Sequence, residues 1–315
     1  MGLSAAGTVS GGSAAERLAG LGGLYPWTPR RLELPGGVGL SYLDEGPRQA
    51  APLLFLHGNP TWSFLWRELV RALSPEWRCV APDHVGAGMS DKPQDYPYTL
   101  ATHVRNVEAL VERLDLRDVT VIGHDWGGAI ACGFATRNLE RVRRMVLMNT
   151  AAFRSERIPF SIDLCRVPGL GALLIRGLNS FTRAALLRAV ERPLSPEVQR
   201  GFLLPMGSWA ERIGQLRFVQ DIPLHPGIPS WSALTEIEAR LPLLAAKPML
   251  LVWGMRDWCF TPEFLAEWRR RCPWAEVEEI AEAGHWVSED AGPRVLERLR
   301  AFLGAPQPAT AAVSG

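Results

Sequence analysis

The pentapeptide Gly123-His124-Asp125-Trp126-Gly127 separates a short apolar run, residues 119–122, from a helix-length segment at about 127–136. A G-x-nucleophile-x-G pattern at such a junction makes a strained elbow that lifts one side chain above the end of a sheet. Here that side chain is a carboxylate, which is already anionic at neutral pH and can attack carbon without a base. The start of the following helix favours its charge. Two more groups fall at matching places, because run 248–253 leads into Gly254-Met255-Arg256-Asp257 and run 277–280 leads toward Gly284-His285-Trp286. Nucleophile, acid and histidine in that order, each beyond a strand, suit covalent catalysis at the carboxyl ends of a parallel sheet. Each also has an ordinary reading: Asp125 as a helix N-cap, Asp257 and His285 as loop residues. Their joint order and spacing favours the chemical one. His57-Gly58-Asn59-Pro60 follows run 52–56, where a loop supplies one backbone N–H of an oxyanion hole, and Trp126, after the nucleophile, supplies the other.

These groups need a sheet to hold them. Apolar runs alternate with amphipathic segments along most of the chain, the pattern of an α/β fold with a mostly parallel central sheet flanked by helices. Strands are expected as a pair within 31–44, turned at Gly36-Gly37, and then at 52–56, 79–82, 119–122, 144–148, 248–253 and 277–280. Helices are expected near 61–73, 100–114, 127–136, 262–271 and 293–302. From 151 to 236 no buried strand is readable, only helical apolar patches, so this stretch is expected to be an inserted helical cap. The core then comprises 25–150 and 237–304. Residues 1–24 and 305–315, rich in Gly, Ala, Ser and Pro, read as a flexible leader and tail.

Composition narrows the partners. With 315 residues, 34 Lys plus Arg against 33 Asp plus Glu, and a formal charge of +1, no bulk field attracts nucleic acid. The five cysteines are odd in number and form no C-x-x-C pair, which suggests neither a disulfide framework nor a metal ribbon. No cofactor or metal is expected. Neither a signal sequence nor a run of about 18 apolar residues is present, so no transmembrane segment is expected, and a cytoplasmic location is the simplest reading. Arg141, Arg143 and Arg144 read as a solvated surface.

The order of motifs resembles the α/β-hydrolase fold over residues 25–303, and HGNPTW with GHDWGG is similar to the haloalkane dehalogenases. The phrases LLIRGLNSF, GSWAERI, RFVQDIPLHPG, DHVGAGMSDKP and MRDWCFTPEFLAEWRRR resemble a narrower group built on that scaffold, the β-lactone decarboxylases of bacterial long-chain olefin biosynthesis. That resemblance implies decarboxylation of a cis-3,4-dialkyl β-lactone to a cis alkene. It implies catalytic roles for Asp125, Asp257 and His285, and a leaving group received by Asn59 and Trp126. It further implies a small hydrophobic substrate with alkyl chains and association with the lactone-forming synthetase. Hydrolysis of a haloalkane to alcohol and halide uses the same residues and stays open, as does a non-catalytic binding protein on a hydrolase fold. Three sibling chemistries are disfavoured. The elbow lacks the Ser of an esterase, Trp126 stands where fluoroacetate-type enzymes carry Arg, and the four tyrosines (Tyr25, Tyr42, Tyr96, Tyr98) all precede the cap, where epoxide hydrolases place ring-opening phenols. Cap segments around Phe153, Phe160, Leu164 and Phe181 are expected to wall a long apolar pocket. Arg176, Asn179, Gln220 and Asp221 are expected to join cap to core.

Overall fold

The computed structural model describes residues 14–304. Eight strands form one sheet: β1 (Arg30–Glu33), β2 (Gly39–Glu45), β3 (Pro52–Leu56), β4 (Arg78–Pro82), β5 (Val119–His124), β6 (Val142–Met148), β7 (Met249–Gly254) and β8 (Glu276–Ile280). Their spatial order is β1-β2-β4-β3-β5-β6-β7-β8. The first two pairings are antiparallel and the remaining five are parallel. The sheet is thus the mostly parallel one expected, with its strands where the apolar runs fall.

Burial explains why those runs are legible. β3, β5 and β7 are buried along their whole length, so neither face calls for polar residues. Successive residues still point to opposite faces. Leu54 and Leu56 join one core with Val121, Leu147 and Leu251, while Leu53 and Phe55 join the other with Ile122, Val146 and Leu250. After β3 the chain moves outward to β4 and then returns across β3 to β5. Adjacent strands whose connections leave in opposite directions open a crevice at their carboxyl ends, which is where a site is expected.

Between β6 and β7 every regular element of the described chain is helical. Its main pieces are Phe160–Leu164, Leu170–Ala172 running into a π-turn at Leu173–Gly177, Ser180–Arg188, Pro196–Leu203, Ile213–Gln220 and Trp231–Arg240. This insertion carries a small core of its own, built on Ile162, Cys165, Ile175, Leu216 and Val219.

Three expectations need correction. Residues 14–24 are not a loose part of the leader: Ala14–Ala19 is helical, Gly22–Leu24 is a 3-10 turn, and Leu18 and Leu21 are buried. Two apolar side chains at i, i+3 dock this segment despite its small-residue composition, and Arg17 pairs with Glu211 at 2.7 Å. The remainder of the leader, residues 1–13, and the tail at 305–315 lie outside the described residues. The segment at 61–73 opens as a 3-10 turn, Ser63–Trp66, before the α-helix Arg67–Leu73. Arg144 is buried, not solvated, with its guanidinium 5.9 Å from the Phe302 ring. No helix among the described residues is long and apolar enough to cross a membrane.

Candidate active site

Asp125 occupies the turn between β5 and the helix Trp126–Arg137, with φ 53° and ψ −127°. Positive φ is costly for a residue with a side chain, and here the surroundings hold it: its N–H donates to Asn149 O at 3.2 Å and its carbonyl accepts from Thr150 Oγ1 at 2.5 Å. Glycines make the close packing feasible. A Cβ on Gly127 would lie 2.0 Å from the carbonyl oxygen of Leu56, and one on Gly58 would lie 2.1 Å from Asp125 Oδ1. The elbow therefore requires bare backbone on both sides of the carboxylate.

The two backbone N–H groups expected to form an oxyanion hole are directed at the aspartate itself. Asp125 Oδ1 accepts from Asn59 N at 2.7 Å, and the carboxylate also accepts the backbone N–H of Trp126. Oδ1 is thus held by the Asn59 amide, while Oδ2 faces the histidine. Oδ2 lies 3.9 Å from His285 Nε2, and on the far side of that ring Nδ1 meets Asp257 Oδ2 at 2.8 Å. The three residues predicted from separate strand ends thus form one line.

All three are buried, and their electrostatics follow from that. Burial raises the pKa of Asp125 above the usual aspartate value, although the nearby His285 charge and the two amides oppose the rise. Burial also pushes Asp257 upward, but the charge and hydrogen bond of His285, the Cys259 N–H and the Asn149 amide outweigh it and hold Asp257 low. Burial disfavours the His285 cation, yet the Asp257 charge and hydrogen bond, with Asp125 adding, outweigh that and leave its pKa raised.

Residues not singled out in the sequence complete the support. Asn149, fully buried with φ 38°, sits just beyond β6. Its Nδ2 donates to Asp257 Oδ2 at 2.9 Å and to Gly254 O at 3.1 Å, and its Oδ1 accepts from Gly254 N at 2.9 Å. Asn149→Ala would leave the Gly254 N–H without this acceptor, and Gly254 O and Asp257 Oδ2 each short of one donor, in a dry interior. The expected loss of stability is about 3 kcal/mol, read by urea unfolding; a loss below about 0.5 kcal/mol would contradict this bridging role. Asp290 anchors the histidine loop, accepting from Gly284 N at 2.8 Å while also accepting from Glu191 N and Arg192 N of the insertion.

A cavity of about 330 Å³ lies over Asp125, with Asn59, Trp126 and His285 beside it. Its walls include Phe153, Leu164, Phe181, Val219, Leu234 and Phe264. Phe160 departs from expectation, since it is 81% exposed and lines nothing. No tyrosine is among the lining residues, so no phenol is at hand for ring opening of an epoxide. The Asn59 side-chain amide donates to Gln215 O at 3.2 Å, and the Trp126 ring packs 5.2 Å from Phe218.

Of the four residues expected to join cap and core, two do so. Asp221 accepts from Ser230 N at 3.2 Å and from Ser230 Oγ, which in turn accepts from Leu100 N at 2.7 Å. Arg176 stacks 4.5 Å over Trp209 and donates to Gln94 at 2.5 Å. Asn179 and Gln220 instead bond within the insertion, to Met206 O and Arg217.

A mostly parallel sheet with an elbow after one strand, an acid after a later one and a histidine after the last is the arrangement of the alpha/beta hydrolases. The family described as alpha/beta hydrolase fold matches residues 51–292, and the chain belongs to it. It is 42% identical over 274 residues to the cis-3-alkyl-4-alkyloxetan-2-one decarboxylase of Shewanella oneidensis, covering 85% of this chain and 86% of that one. The protein of the same name from Xanthomonas campestris pv. campestris is 41% identical over 290 residues, covering 89% and 97%. Haloalkane dehalogenase 2 of Mycobacterium tuberculosis is 32% identical, covering 88% and 95%. Among solved structures, the haloalkane dehalogenase DatA from Agrobacterium tumefaciens superposes with a TM-score of 0.78 at 28% identity, covering 90% of this chain and 98% of that one.

Proposed function

We propose that this chain is a carbon–carbon lyase that converts a cis-3-alkyl-4-alkyloxetan-2-one into a cis alkene and CO2, with Asp125 as nucleophile. The observation that carries the proposal is a half-pinned carboxylate at the base of an apolar cavity, in a chain 41–42% identical to two decarboxylases of that name. Asp125 Oδ2 attacks ring carbon C4 with inversion, and the C4–O bond of the ring breaks. The ring oxygen leaves as a carboxylate, received by the side-chain N–H groups of Asn59 and Trp126. The C3–carboxylate bond then supplies the electron pair of the new double bond while the C4–Oδ2 bond breaks, releasing CO2 and restoring Asp125. Inversion followed by anti elimination equals overall syn loss, so a cis lactone gives a cis alkene. Neither step consumes a proton or a water molecule. His285, held by Asp257, supplies positive charge close to Oδ2 and steadies the departing aspartate. The same resemblance supports a cytoplasmic enzyme associated with its lactone-forming synthetase.

Purified protein given a cis-dialkyl β-lactone and, separately, 1-halohexane should release alkene from the first and negligible halide from the second. The reverse outcome favours the dehalogenase reading, for which the 32% identical relative is the argument. The pH profile separates the two as well. Asp125 must be ionised in both, so activity falls with acid at a pH above the ordinary aspartate range. Water activation by His285 needs neutral imidazole, so dehalogenation would keep rising through the raised His285 pKa. Decarboxylation, which uses the His285 cation, should instead hold level below that raised pKa and fall as pH rises through it.

A further inference from the structure

Among the described residues nine large apolar side chains are exposed, and eight belong to the insertion, Leu243 being the other. Phe160 is 81% exposed, Leu187 76%, Leu178 61% and Leu173 55%. Single exposed apolar residues are ordinary, but their concentration in one segment is not. Two observations indicate what they meet. Leu164 is both exposed and part of the cavity wall, as is Arg157, so the cavity wall reaches the surface within this segment. Charge is biased in the same stretch: from 157 to 188 there are five arginines (157, 166, 176, 183 and 188) and one acid, Asp163, in a chain that is nearly balanced overall. Arg157, Arg183 and Arg188 are exposed.

We propose that this face of the insertion docks reversibly on an anionic phospholipid bilayer, with the cavity mouth against the membrane. Aliphatic side chains interleaved with arginine suit the headgroup boundary, where guanidinium groups meet phosphate and apolar side chains enter the acyl region. A protein partner fits less well, because aromatic anchors dominate the centres of protein interfaces and this face is mainly aliphatic. The purpose of docking rests on the lactone reading: a dialkyl lactone and, still more, an alkene without any polar group partition into acyl chains and not into water.

The test uses the full chain and sedimentation with large unilamellar vesicles. Binding is expected to vesicles of phosphatidylcholine and phosphatidylglycerol, weaker by about tenfold on phosphatidylcholine alone or in 0.5 M salt. The variant Phe160→Ser/Leu173→Ser/Leu178→Ser, which replaces no cavity-lining residue, should lose at least about tenfold in binding and keep its turnover of a short-chain, water-soluble lactone. Arg183→Gln, at an exposed arginine outside the cavity wall, should reduce binding to anionic vesicles only. Absence of vesicle binding, or binding indifferent to both variants, overturns the proposal. So does a serine variant that merely turns a dimer into a monomer, which would assign the face to a second copy. Vesicle binding by a protein that makes no alkene from any lactone would leave the surface standing and remove the substrate reading.

Discussion

Asp125→Asn abolishes alkene release from a cis-dialkyl β-lactone, with a loss of at least about 10,000-fold in turnover. The amide keeps the shape of the carboxylate, and its oxygen can still accept the Asn59 N–H that holds Oδ1. What disappears is the anionic oxygen facing His285, which becomes a poorly nucleophilic nitrogen. Folding stability should change by less than about 1 kcal/mol, and lactone affinity should survive, so the loss appears in kcat. Gas chromatography of alkene formed by purified variant and parent reads the effect. Near-parental turnover would rule out a covalent route through this residue and also sink the stereochemical argument built on it.

Trp126→Phe should lower kcat by about 100- to 1,000-fold, the range found when one donor to a developing anion is removed. The replacement ring keeps most of the packing against Phe218 and deletes only the N–H group. Charge on the departing carboxylate develops in the transition state, so KM should move little. Steady-state kinetics on one lactone give both parameters. A change confined to KM would make Trp126 a wall residue and shift the anion-binding task to Asn59, whose amide is shared with Gln215 O in this structure.

The sheet and the line from Asp125 to Asp257 were legible because each depends on neighbours in sequence. Parallel strands buried on both faces read as apolar runs, and the residues that follow them must occupy strand ends. Asn149 was not legible, because its meaning lies in Gly254 and Asp257, brought beside it only by β6 and β7 pairing. Composition likewise hid the docking of Leu18 and Leu21, where two side chains outweigh a run of small residues. The insertion resisted most. Its helices are short, and a one-residue rotation decides whether a phenylalanine faces the cavity, as Phe181 does, or water, as Phe160 does.

β6 and β7 lie side by side, Met145 opposite Met249, although the entire helical insertion is threaded between them. Both ends of that long excursion are therefore registered by the sheet and not by the insertion itself. Bond-making groups belong to one side of this division and the choice of what may reach them belongs largely to the other. Away from residues 189–192, whose backbone holds Asp290 and Trp286 beside the histidine, the insertion could be rewritten or lengthened without disturbing Asp125, Asp257 or His285, so a single scaffold can pass from one electrophile to another by renewing only its gatekeeper.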